Sequence, residues 1–386
     1  MTPWSVVNGE TSEKRRPPRW GRVLLVAVVA LLVAGTGMVL IPRDSGTPPA
    51  VPFTETARLT ALEDALSLRE AATGLAADAS SVTERPAAGD AVTLLTTHAQ
   101  ALLVPGETST ATAFGAASTS AASSGAVPSG TGPASRATFL AGLSASGWKR
   151  LEDAGVADGG MARLLAAVGT AQVLQAEKMA AQWKLPLPDE PAASEPKAPS
   201  ASPEAASCPS AIPTPEPGSA TTDTALAAVV RSQQEAIYVY QVALKRLEES
   251  KWAAAAKYLQ VHEALLRQAE SVTSANCADV PASEAGYRLP EQFSKDPATF
   301  LGSVELASLS RFGDLVALSA HETRSWAVGN LLAAARRSQA WGAQLPVFPG
   351  MTLDAGELPA LPTPGSPPSP GSPSSPGSPS SPGTPS

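Results

Sequence analysis

Apolar positions recur at helical spacing through most of this chain, and the clearest case is residues 222–272. Leu226, Val230, Gln233, Ile237, Tyr240, Leu244 and Leu247 follow one another in alternating steps of four and three. Trp252, Ala255, Leu259, His262, Leu266 and Ala269 repeat the rhythm. Steps of that kind put an apolar stripe on one face of a helix. The stretch therefore predicts two antiparallel helices joined by a short turn, with both stripes needing other helices to cover them. A third helix starts at Asp296-Pro297, with Asp as cap and Pro where no N–H is needed. A fourth spans about 321–343 and stops before Leu345-Pro346.

The same count of elements appears upstream. Thr54–Ala79 places Leu59, Leu62, Leu66, Thr73 and Ala77 on one face, with Glu70 inside that seam. A helix at about 89–103 carries Leu94, Leu95, His98 and Leu102 in its seam. Residues 105–135 are Ser, Thr, Ala and Gly with little to bury, the composition of a mobile loop. Ser135 is placed to cap a third helix over 136–153, and a fourth runs from about 160 to Trp183, before Pro186 and Pro188. Each set of four makes a bundle.

The two sets resemble copies of one unit. Glu70 pairs with Glu235, His98 with His262, ATFL at 137–140 with ATFL at 298–301, and Trp183 with Trp341. The offsets shrink steadily along the chain, from 165 through 164 and 161 to 158, as loop deletions would cause.

Around the bundles the composition changes. Residues 1–22 hold five basic residues against Glu10 and Glu13, and Val23–Ile41 then runs for 19 residues without a charge. At about 1.5 Å per residue such a run is close to a bilayer core in length. The basic flank predicts a single-pass anchor with its N-terminus in the cytoplasm and all that follows residue 42 outside it, a retained span rather than a cleaved signal peptide. A stalk (42–53) leads to the first bundle (54–185). A linker with ten prolines (186–221) leads to the second bundle (222–350), and a Pro/Ser/Gly tail (351–386) is expected to be disordered. The linker offers no apolar face, so the bundles are expected to fold as separable domains. The net charge is −7, and outside residues 1–22 nothing is basic enough for nucleic acid.

Cys208 and Cys277 are the only cysteines. Both fall on the non-cytoplasmic side, and the hairpin of residues 222–272 brings its two ends together, so a Cys208–Cys277 disulfide is expected.

QEAIYVY, VHEALLRQ, GYRLPEQFSKDPATFLGSVE and SQAWGAQLPVFPG, taken in order, resemble a bacterial ferritin-like domain family of unknown function. That family is typical of envelope proteins of high-GC Gram-positive type. The resemblance covers 222–350 and, more faintly, 54–185. It implies an all-α chain with two tandem ferritin-like four-helix bundles, and no established activity or cofactor.

A di-iron centre in such a bundle needs a Glu from each of two helices and Glu-x-x-His from each of the other two. The available ligands are Glu70 with His98 and Glu235 with His262, but Leu95 and Leu259 stand three residues before the histidines, where carboxylates belong. These four residues are therefore weak metal candidates only, and the histidines are expected to be satisfied core side chains. No nucleophile or phosphate-cradling motif is present, so the sequence predicts no catalysis and no cofactor. The leading expectation is a membrane-anchored, non-catalytic module that binds an envelope protein or acts as structure. A metal-binding or redox protein, and a small-molecule or lipid carrier, are the alternatives.

Overall fold

The computed structural model describes residues 51–79, 84–103, 135–191, 208 and 219–361. The expected anchor (23–41) with its basic flank, the stalk up to residue 50, the loop over 105–134, most of the proline linker and the tail beyond 361 lie outside the described residues. Among the described residues there are nine α-helices, no strand, and no helix long and apolar enough to cross a membrane. All nine belong to the compact unit Pro52–Ser386.

The helices are α1 (Phe53–Asp78), α2 (Glu84–Leu102), α3 (Arg136–Val156), α4 (Gly159–Trp183), α5 (Thr222–Ala243), α6 (Glu249–Ala275), α7 (Glu291–Lys295), α8 (Pro297–Leu318) and α9 (His321–Ala340). Local chemistry fixes several ends. The Ser135 hydroxyl accepts from Thr138 N–H, Thr221 and Thr224 form a reciprocal capping box, and Asp296 accepts from Thr299 N–H with Pro297 in the first turn. The five-residue α7 interrupts the loop after α6 and seats Phe293 in one core with Tyr240, Ala255 and Leu301.

The buried stripe of α1 is Ala57, Ala61, Leu62, Ala65 and Ala72, not the leucine-centred face expected from the sequence. Leu59 and Leu66 are half-buried, and Thr73, Ala77 and Glu70 are exposed. A stripe of alanines lets α1 approach its neighbours closely, a contact that counting large apolar residues overlooks.

Helices pair as hairpins: α1 with α2, α3 with α4, α5 with α6, and α8 with α9. The two bundles do not stand apart. Helix α4 packs on α8, α3 packs on α9, and α4 meets α9. Each bundle thus offers its third and fourth helices to the fourth and third of the other, the reciprocal pattern of a two-fold dimer interface. One core runs through both, including Leu165 and Val168 of α4, Phe312 and Val316 of α8, and Trp326 and Leu331 of α9. This overturns the expected insulation. The proline linker has no apolar face, but the bundles themselves have, and α4 is buried nearly all round.

Polar contacts fix the register between the bundles. The Arg163 guanidinium pairs with Asp314 at 2.7 Å, and Arg336 pairs with Glu177 at 2.5 Å while lying over the Trp148 ring. Arg324 donates to the Ala157 and Ser319 carbonyls. At Gly159 a Cβ would lie 2.2 Å from the Ala317 carbonyl oxygen, so a glycine is needed where α4 starts against α8.

The expected tail boundary at 351 also moves. Met351, Leu353, Leu358 and Leu361 are partly buried against the shared core, and Phe348 is fully seated in it. The Gly350 carbonyl accepts from Arg163 at 2.7 and 2.9 Å. Residues 345–361 therefore strap the second bundle onto the first. Their leucines and Met351 supply what the Pro/Ser/Gly repeat lacks. Cys208 and Cys277 are joined by a disulfide that ties the linker to the end of α6, their Cα atoms 5.6 Å apart. Closing a span of 69 residues contributes about 4 kcal/mol in the chain-entropy account.

Candidate functional site

The second bundle buries a polar cluster drawn from all four of its long helices. Tyr240 and Gln233 come from α5, His262 from α6, Glu305 from α8 and Arg337 from α9, with Trp341 just past its end. Each occupies a seam position of its helix, so amphipathic packing alone drives them together. Glu305, Gln233 and Tyr240 are wholly buried, and His262 nearly so.

Glu305 is the hub. Its Oε1 accepts from the Tyr240 hydroxyl at 2.8 Å and meets His262 Nε2 at 2.8 Å, and its Oε2 accepts from Arg337 Nε at 2.9 Å. His262 Nδ1 lies 2.8 Å from Gln233 Oε1, and Trp341 Nε1 donates to the Tyr240 oxygen at 2.8 Å. Burial works against the Glu305 charge, but Arg337, His262 and Tyr240 outweigh it and hold the carboxyl below the usual range. Burial, and next the Glu305 charge, push the Tyr240 phenol up, so it stays a donor. Arg337 Nη2 finds no protein partner among the described residues.

The metal candidates separate. Glu70 and Glu235 face solvent, while His98 and His262 are buried. The carboxylate that meets His262 is Glu305, which the first-helix pairing misses. Glu305 and Arg337 did leave a signal: opposite charges at seam positions of consecutive helices. The donor set does not fit a di-metal centre. One carboxylate and one imidazole remain, a guanidinium sits on the second carboxylate oxygen, and Leu95 and Leu259 are apolar packing. Among the described residues no group of three or more His, Cys, Asp or Glu is placed to hold a metal ion.

The positions of the first bundle that the sequence offsets align with this cluster are mostly apolar. By the offset of 165, Leu68 and Leu75 stand where Gln233 and Tyr240 do, and by that of 161 Ser144 stands for Glu305. Met179, four residues before Trp183, stands where Arg337 precedes Trp341. These leucines, Met179 and Trp183 share one apolar cluster. Among the described residues the Trp183 indole N–H has no partner where Trp341 has Tyr240, and His98 Nδ1 has none where His262 has Gln233. His98 has turned to another partner, its Nε2 donating to the Val347 carbonyl of the strap at 3.1 Å, with the Phe348 ring 5.4 Å away.

Burial, opposed only by that carbonyl, lowers the His98 pKa from 6.5 to about 4. The folded state thus holds fewer protons than the unfolded state between these values. Its contribution is complete above pH 6.5 and is lost as pH falls toward 4, by about 3 kcal/mol in all. His98→Gln keeps a donor for Val347 without titrating. Urea unfolding of this variant should show a shallower loss of stability over that pH range; an unchanged slope would remove His98 from the account.

Residues 225–353 match the family model described as a domain of unknown function, DUF4439. No curated protein and no solved structure matches the chain.

Proposed function

We propose that this chain is a membrane-anchored, extracytoplasmic module, built as a pair of ferritin-like bundles, that binds an envelope protein or serves as structure and is not a catalyst. The observation that carries the proposal is the state of Glu305. Both oxygens of this buried carboxylate are engaged by side chains of the same bundle, Oε1 by Tyr240 and His262 and Oε2 by Arg337. A cluster of that kind specifies packing. The anchoring part rests on the 19-residue uncharged run behind a basic flank. The Cys208–Cys277 disulfide supports an oxidising compartment.

Protease shaving of intact cells expressing the full chain tests the placement. Residues beyond 42 should be degraded while a tag at residue 1 stays protected inside a membrane-bound fragment. Full protection of the bundles, or a chain released by alkaline wash, contradicts it. Stoichiometric iron or zinc in the purified chain would favour the metal-binding alternative.

A further inference from the structure

The apolar interior of the first bundle is divided between two clusters. The division falls after Leu95 on α2, after Leu143 on α3 and just before Ala176 on α4. Polar side chains stand at that level on all three helices. His98 follows Leu95 by three residues, Ser146 follows Leu143 by three, and Gln172 precedes Ala176 by four. Such spacing turns each toward the same interior as its apolar neighbour. All three are more than nine-tenths buried. Among the described residues His98 Nδ1, the Ser146 hydroxyl and both ends of the Gln172 amide have no hydrogen-bond partner. A polar group left unmet in a dry core is costly, and here the unmet groups gather at one level of one bundle.

We propose that this level of the first bundle is a binding site for a small neutral hydroxyl compound, held between α2, α3 and α4. The site does not depend on the function proposed above. Its hydrogen-bonding groups set the class of occupant. His98 gives its Nε2 proton to the Val347 carbonyl, so in the neutral ring Nδ1 is a bare acceptor that needs a donor. In the second bundle Gln233 meets the corresponding nitrogen of His262, whereas Leu68, aligned with Gln233, has nothing to offer. Gln172 presents one carbonyl and one amide NH2, and the Ser146 hydroxyl can act either way, so the occupant must both donate and accept. Charge is not called for. Arg150, one turn beyond Ser146, already pairs with Asp64 at 3.0 Å and Asp153 at 3.1 Å. On α2 the interval from Leu95 to Ala99 is about 6 Å along the axis, one small molecule deep. Water and a small alcohol or polyol share this chemistry, and a buried water takes about three hydrogen bonds.

The test compares the full chain in detergent with its Gln172→Leu and Ser146→Ala variants, the second a change small enough to fold if the first does not. Oxygen-17 relaxation dispersion of the solvent reads long-lived internal water. Mass spectrometry of the filtrate after denaturing the desalted chain reads an organic occupant. The parent should show one or the other in stoichiometric amount, and both variants should lose most of it. A dispersion amplitude that falls in the variants assigns water, and a released alcohol or polyol missing from the variants assigns an organic ligand. Gln172→Leu should also melt a few degrees below the parent, since the occupant loses its partners. A parent with neither signal, or a signal equal in all three chains, overturns the proposal. So does a Gln172→Leu chain that melts above the parent, because replacing the amide of a dry site removes only a group with nothing to bond.

Discussion

Replacing Glu305 with Gln should lower the melting temperature of the full chain by roughly 10 °C, because breaking a buried pair costs about 3–5 kcal/mol in a protein of this size. The substitution preserves shape and removes only the charge. Arg337 is then buried without its counter-ion, and Tyr240 and His262 lose their strongest acceptor. Tyr240→Phe should cost less, about 1–2 kcal/mol, since it removes one donor and leaves the ion pair. Thermal unfolding followed by circular dichroism measures both. A Glu305→Gln protein that melts with the parent would mean the cluster does not hold the bundle together.

Residues 222–361 made without the first bundle should fail to give a monomer with a sharp unfolding transition. The faces of α8 and α9 that meet α3 and α4 would be bare, and Phe348 would lose His98. Each large side chain returned to water forfeits about 1.5–3 kcal/mol, so a handful matches the 5–15 kcal/mol that hold a typical domain. Self-association is the expected escape, because the bare faces of α8 and α9 normally meet the helices α3 and α4. Light scattering and calorimetry on the fragment decide this. A monomer melting as sharply as the full chain would contradict the shared core.

Much of this architecture is legible in the sequence. Steps of three and four placed the long helices, and Ser135 and Asp296 marked two starts. Three things were not legible. The alanine face of α1 carries no large residue to mark it. The apolar surround of α4 shows that it is buried but not by which partner, so the contact between bundles was hidden behind a proline linker. Glu305 and Arg337 are unremarkable alone, and only the packing of α8 on α9 and α5 shows that they meet in one buried hub. Residues 351–361 run without a break into the low-complexity tail, although Met351, Leu353, Leu358 and Leu361 are the kind of residues a core accepts.

If the Glu305 cluster and the apolar cluster around Met179 are alternative ways of filling one kind of site, Glu305 and Arg337 are exchangeable only as a pair. A double-mutant cycle tests it most directly, giving the second bundle the residues of the first: Glu305→Ser, Arg337→Met, and both together. Each single change leaves a buried partner unmatched and should be strongly destabilising. The double variant should recover a large part of the loss, with a coupling on the order of 2–3 kcal/mol. Losses that add to within about 0.5 kcal/mol would show that the two residues act independently and would contradict the account.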